Sequence, residues 1–180
     1  MEIDFLKIPK DRIAVLIGAS GDTKKTIEKQ TKTELEINSA TGDVTVTKKK
    51  GGNDTDFLKS VSIVKAIARG FSPEHALLLL NDDFYLEVIN LIDYIGKDSK
   101  QLMQKKGRVI GKKGAIRKDL EETTNTYISV YGKTISVMGK LEGIEIAKQA
   151  IEMLIQGSSH DTVKGFLKRK TSFGESQLQL

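Results

Sequence analysis

Apolar positions at Ile3, Phe5, Leu6 and Ile8 predict a short strand over Glu2–Ile8. From Asp11 to Ile17 the apolar residues Ile13, Leu16 and Ile17 fall at i, i+3 and i+4, the spacing of one helix face. A second helix is expected over Thr23–Lys32, with Asp22 as its N-cap. Alternation over Glu34–Asn38, a turn at Gly42 and a returning run at Val44–Thr47 read as a hairpin. The polar loop Lys48–Asp54 then leads to a helix over Asp56–Arg69, with Phe57, Val61, Val64 and Ala68 on one face and Gly70 as its stop.

The same order returns in the second half. A strand is expected over Phe84–Leu91, helices over Ser99–Ile110 and Ala115–Thr124, strands over Tyr127–Tyr131 and Thr134–Met138, and a long helix over Leu141–Gln156 ending at Gly157. A shift of 93 residues lays Gly18 on Gly111, Gly21 on Gly114, Glu28 on Glu121, Thr31 on Thr124 and Thr33 on Thr126. Agreement of glycines, threonines and apolar positions over such a length marks a duplication. Ser72-Pro73-Glu74 starts a short apolar connector, Pro73–Leu80, with Ser as cap and Pro at the first helical position. Ser159-His160-Asp161 does the same before Val163, Phe166 and Leu167. The expected division is 1–80 and 81–168, with 169–180 a flexible polar tail.

In each copy the first two helices are joined by Gly-x-x-Gly: Gly18-Ala19-Ser20-Gly21 and Gly111-Lys112-Lys113-Gly114. The order βααββα around such a turn resembles the type I, eukaryotic-type KH domain. The implied class is α+β: two tandem KH domains, each a three-stranded sheet backed by three helices, plus short connector helices. The entries Val15-Leu16-Ile17-Gly18 and Arg108-Val109-Ile110-Gly111 fit that likeness, and the junction from Gly70 to Tyr85 is similar to that of archaeal tandem-KH proteins of the Partner-of-Nob and Dim type. The resemblance implies binding to single-stranded RNA, in the 3′ region of small-subunit rRNA or its precursor, during ribosome biogenesis. It also implies a pre-rRNA nuclease or a translation initiation factor as partner.

Charge separates the two copies. Between Lys97 and Lys118 nine basic residues face one acid, Asp98. Between Lys7 and Lys29 six basic residues stand against three acids. Glycines at both ends of the turn let a phosphate approach the next helix's N–H groups, and lysines between them add charge there. The expected RNA-binding set is therefore Arg108, Val109, Ile110, Gly111, Lys112, Lys113, Gly114, Arg117 and Lys118, with Gly18, Ala19, Ser20, Gly21, Lys24 and Lys25 as the weaker counterpart. By motif position Val109, Ile110, Ile116 and Ile128, and in the first copy Leu16, Ile17 and Leu35, fall in the wall of an apolar groove for the bases, although apolar residues at this spacing more often belong to the core.

Other chemistry finds little material. The chain has 180 residues, no cysteine, two histidines and a formal net charge of +5. Gly107 to Lys113 looks like a P-loop, but the spacing is one residue short and Lys113 stands where Ser or Thr should bind magnesium. His75 and His160 lie at connector starts with no second ligand at metal spacing. The acidic pairs Asp82-Asp83 and Glu121-Glu122 are expected to be solvated, and Lys48-Lys49-Lys50, in a Gly-rich loop, reads either as a phosphate contact or as a flexible solvated loop. The reading is a non-enzymatic, cytoplasmic, monomeric RNA-binding protein without metal or cofactor. The alternatives are an adaptor whose first copy binds a nuclease or translation factor, and an exosome-type processing subunit.

Overall fold

A computed structural model of the chain describes residues 2–96 and 98–177, with side chains described as far as 170. It divides into two compact units, Met1–Phe84 and Tyr85–Leu180. Strand β1 (Ile3–Lys7) leads into α1 (Lys10–Ile17), α2 (Asp22–Thr31), β2 (Thr33–Ile37), β3 (Asp43–Lys48) and α3 (Asp54–Ala68). The sheet is antiparallel in the order β1-β3-β2. The second unit repeats this with β4 (Tyr85–Asn90), a short α5 (Ile92–Ile95), α6 (Ser99–Ile110), α7 (Ala115–Thr124), β5 (Thr126–Tyr131), β6 (Thr134–Gly139) and α8 (Leu141–Gln156), its sheet ordered β4-β6-β5. The duplication read from the sequence is thus a duplication of fold.

Each sheet packs one face against its helices, and in the second sheet Ser136 and Met138, on the other face of β6, are buried as well. In the first unit Leu35, Val44 and Val46 are buried, as are Leu16 of α1, Ile27 of α2 and Val61 and Val64 of α3. In the second, Ile128, Ile135 and Val137 pack with Val109, Leu120, Ile144, Ile151 and Leu154. Truncating a fully enclosed member such as Leu16 or Leu120 to Ala costs about 2–5 kcal/mol in such a core.

The repeated threonines have a structural task. Thr31 Oγ1 reaches Ile27 O at 2.7 Å and Thr33 Oγ1 at 2.8 Å, and Thr33 meets Ser60 at 2.9 Å. Thr124 and Thr126 repeat the pair at 2.8 Å, with Thr124 Oγ1 on Leu120 O. All five hydroxyls lie on buried residues, where an unpaired polar group is costly. They stitch the end of α2 or α7 to the strand that follows it.

A second shared device joins α1 to α3 and α6 to α8. Arg12 donates to Ile67 O (2.7 Å) and Phe71 O (2.5 Å). Arg108 donates to Leu154 O (2.9 Å) and Ser158 O (2.5 Å). These carbonyls close equivalent helix ends, yet Arg12 stands six residues before its loop and Arg108 three. The same staple is made from positions one helical turn apart, so a residue-by-residue overlay of the copies misses it.

Two expectations about extent change, and one connector keeps its extent but differs in helix type. Asn81–Phe84 belongs with the first unit, where Lys59 pairs with Asp82 at 2.5 Å and Phe84 N–H donates to Asn81 O. The first connector is a single α-turn, α4 (Pro73–Ala76), followed by a 3-10 turn at Leu77–Leu80, both packed on α3. The second connector is α9 (His160–Gln177), which packs on α7 and α8 and continues past Lys168, where polar composition suggested a flexible tail. Lys, Arg, Glu and Gln favour helix even when solvent-facing, so polarity alone did not mark an end. Residues 178–180 lie outside the described residues.

Candidate nucleic-acid interface

Both Gly-x-x-Gly loops adopt one backbone shape. Gly18 and Gly111 have φ/ψ of 77/173° and 73/177°, a region open essentially to glycine. The third residues, Ser20 and Lys113, are left-handed at φ 54° and 53°, and Gly21 and Gly114 follow at 82° and 78°. A Cβ on Gly111 would overlap Ile116 Cγ1 and sit 2.8 Å from Ile116 Cβ and 2.9 Å from its nitrogen. At Gly18 the obstacle is Thr23. The first glycine of each loop is therefore required by the fold. A Cβ added to Gly114 would meet nothing within 4 Å, and one on Gly21 only the Lys25 side chain, so the last glycine keeps the approach open.

Asp22 does not cap α2. Gly21 and Gly114 are the N-cap residues of α2 and α7, and neither helix start has a side-chain cap. This matters for function, because an uncapped N-terminus presents its orphan N–H groups to an outside anion. A capping aspartate would have occupied them.

The side chains around the second loop separate into two groups. Lys112 and Lys113 are exposed, and among the described residues neither has a carboxylate within ion-pair reach. Arg117 and Lys118, both exposed, form i,i+4 pairs with half-buried Glu121 (3.8 Å) and exposed Glu122 (3.6 Å), contacts weak enough to exchange for phosphate. Lys106 instead donates to Gly132 O, and Arg108, expected at the RNA, is the staple described above, with its own carbonyl facing His160 Nε2 at 3.2 Å. Lys97 lies outside the described residues. In the first copy Lys24 pairs with Glu28 at 3.9 Å and Lys25 donates to Ser20 O at 3.0 Å, so Lys25 folds back over its own loop beside exposed Ala19 and Ser20.

The expected groove narrows. Val109, Leu16 and Leu35 are 0% exposed and Ile128 4%, so these four belong to the core and cannot touch a base. Leu16 shares a face with buried Ile13, Leu35 with Thr33 and Ile128 with Thr126, while Val109 is the one buried residue of α6. Ile110 and Ile116, with Ile17 in the first copy, are half-buried beside the loops and remain as wall.

Sequence reasoning aligned Glu28 with Glu121 but assigned them no role. Glu28 Oε1 accepts the Leu35 N–H at 2.8 Å, and Glu121 Oε1 accepts that of Ile128 at 2.7 Å. Each carboxylate thus fastens the helix after the loop to the outer edge of strand β2 or β5. Glu121, expected to be solvated, is a half-buried brace, whereas Asp82 pairs with Lys59 and still keeps its side chain 82% exposed, as expected.

The comparisons with known proteins agree with this geometry. The eukaryotic type KH-domain (KH-domain type I), in its form for the second domain of PNO1, matches residues 85–172, and the KH domain family matches 3–52. The chain is 47% identical over 169 residues to a KH domain-containing protein of Methanocaldococcus jannaschii, covering 93% of this chain and 74% of that one. It is 28% identical over 167 residues to the pre-rRNA-processing protein PNO1 of Coccidioides immitis, covering 92% of this chain and 66% of that protein. A chain in the crystal structure of the a/eIF2alpha–aDim2p–rRNA complex from Pyrococcus horikoshii matches with a TM-score of 0.89 at 49% identity, over 95% of this chain and 94% of its own. With two KH folds, two preserved Gly-x-x-Gly turns and these relatives, the chain belongs to the family of KH-domain proteins that includes archaeal Dim2p and the PNO1 pre-rRNA-processing factors.

Proposed function

We propose that this protein binds single-stranded small-subunit rRNA or its precursor in ribosome biogenesis, with the Gly111–Gly114 loop as its principal phosphate clamp. One observation carries the assignment to the second copy. There the uncapped start of α7 lies beside two exposed lysines that no carboxylate among the described residues engages, whereas the identically shaped first loop offers Ala19 and Ser20. Phosphates dock at the helix start, and the half-buried Ile110 and Ile116 supply apolar contact for bases. The relatives' pre-rRNA processing and the rRNA in the Pyrococcus complex support the RNA class. In this reading the protein acts by binding rather than by catalysis, and in the cytoplasm. Among the described residues no helix is long and apolar enough to cross a membrane.

Fluorescence anisotropy with a labelled single-stranded fragment from the 3′ end of small-subunit rRNA tests this. Replacing both lysines (Lys112→Asp with Lys113→Asp) should weaken binding by at least about tenfold, since two phosphate contacts turn repulsive. Unchanged affinity with an intact fold overturns the assignment. A second reading concerns the first copy, whose loop lacks charge while the related complex contains a/eIF2alpha. In that reading the first unit also meets a translation factor, and pull-down after nuclease treatment separates such a contact from bridging by RNA.

A further inference from the structure

The run Lys48-Lys49-Lys50, which the sequence left open between a phosphate contact and a flexible solvated loop, is a built feature. Lys49 N–H donates to Lys32 O and Gly52 N–H to Lys49 O, both at 3.0 Å, and Lys32 Nζ reaches Gly51 O at 3.4 Å. Gly52 sits so close that a Cβ there would lie 3.1 Å from Lys32 O and 3.2 Å from Lys49 O. The β3–α3 loop is thus folded onto the C-terminal end of α2. Lys48 pairs with both Glu2 (3.0 Å) and Asp54, which ties these two carboxylates to one ammonium and leaves that trio with a single net negative charge. Asp56 accepts from Asn53. That leaves Lys29, Lys49 and Lys50 exposed around the end of α2, with exposed Lys32 among them loosely held by Gly51 O, and among the described residues none of the four has a carboxylate within ion-pair reach.

A helix C-terminus does attract cations, yet that does not account for this cluster. Helix α7 ends in the same way, at left-handed Asn125 (φ 51°) with its N–H on Glu121 O, as α2 ends at Lys32 (φ 49°) with its N–H on Glu28 O. At the matching positions α7 carries Glu122 and Asn125 in place of Lys29 and Lys32. Only Lys140 joins β6 to α8, so the second copy has no loop to hold further lysines. The two copies are charged at opposite ends of the same helix: the second at its loop, the first about 15 Å away across ten residues.

We infer that the first copy contacts RNA through this four-lysine cluster, as a sequence-independent site for the phosphate backbone of a duplex flanking the single-stranded segment. The inference rests on the RNA-binding reading above. The cluster contains no aromatic ring and no bidentate guanidinium, only ammonium point charges on long stems, which suit phosphates and read no base. Helical rRNA supplies the densest phosphate array, and each neutralised phosphate releases counterions.

The test compares three RNAs: a single-stranded fragment, and the same fragment with a hairpin added on its 5′ or its 3′ side. The pair Lys49→Glu with Lys50→Glu should leave affinity for the bare fragment unchanged. It should weaken binding of one hairpin probe by about tenfold or more and flatten its log–log salt dependence by roughly 1.8, the value for two duplex phosphates. The neutral pair Lys49→Ala with Lys50→Ala, which removes charge without adding repulsion, should show a smaller loss in the same probe. Unaltered affinity and slope for both hairpins overturn the inference and leave the cluster to an acidic protein surface. Equal losses on all three probes also overturn it, because the lysines then belong to the single-strand site. Loss of bare-fragment binding in the Lys112/Lys113 variant, measured in parallel, shows whether the principal reading stands independently.

Discussion

Glu121 accepts the backbone N–H of Ile128 at 2.7 Å, bracing α7 against the open edge of the second sheet. The contact is half-buried and has a twin in Glu28 and Leu35 at 2.8 Å. Removing the acceptor leaves a strand N–H without its partner, at a cost of about 1–3 kcal/mol. Glu121→Ala should therefore lower stability by that order in urea unfolding, while Glu121→Gln, which keeps an acceptor oxygen, should lose much less. Equal losses would show that the Arg117 ion pair, not this hydrogen bond, is what the carboxylate contributes.

The glycines of one loop should separate folding from binding. Gly111→Ala drives a methyl group into Ile116 and forces alanine into a backbone region reserved for glycine. Several kcal/mol of destabilisation is the expected outcome, at about the upper end for single substitutions. Gly114→Ala meets open space and a left-handed φ of 78°, so it should cost only about 1–2 kcal/mol. Thermal melts of the two variants check the ranking. RNA affinity should fall in Gly114→Ala at temperatures where the protein remains folded, since the added methyl would stand in the approach of phosphate to the proposed clamp.

Arg108 offers a direct contest between the sequence expectation and the structure. As a staple it holds Leu154 O and Ser158 O, and a charged donor of this kind is worth about 1.5–3 kcal/mol. Arg108→Met should therefore destabilise the second unit while the salt dependence of RNA binding by the folded protein stays as it was. A flatter salt dependence in that variant would return Arg108 to the phosphate contacts.

These residues show why some of the molecule was legible in the sequence and some was not. Periodicity and the 93-residue shift disclosed the strands, the helices and both glycine loops, because those depend on local pattern. Leu141–Gln156 was read to its ends. Four-residue α5 is too short to show a period, and Asn90 Oδ1 accepting the Ile92 N–H is a local device easily missed. The candidate site was legible as a loop and a charge count, but partners across the fold were not. Arg108 and Lys106 look like Lys112 and Lys113 in a tally of basic residues, yet two of these four are spent on backbone carbonyls. Val109 sits next to the loop in the chain and beneath it in space.

That redistribution changes what salt should do. Counting basic residues along the second loop suggests five or six neutralised phosphates and a log–log slope near −4. With Arg108 and Lys106 engaged elsewhere, Lys112, Lys113, Arg117 and Lys118 remain able to meet phosphate. Four single-strand phosphates at about 0.7 each give a slope of roughly −3 for a short single-stranded fragment. The Lys112→Asp, Lys113→Asp pair should flatten it by about 1.4 beyond its loss of affinity. The first loop provides the control: Ala19→Asp with Ser20→Asp removes no cation, so it should leave the slope for the short fragment near −3. Anisotropy titrations across a range of potassium chloride decide the matter. A slope that Ala19→Asp, Ser20→Asp flattens as much as the lysine pair would place the two loops on equal footing and remove the dominance of the second.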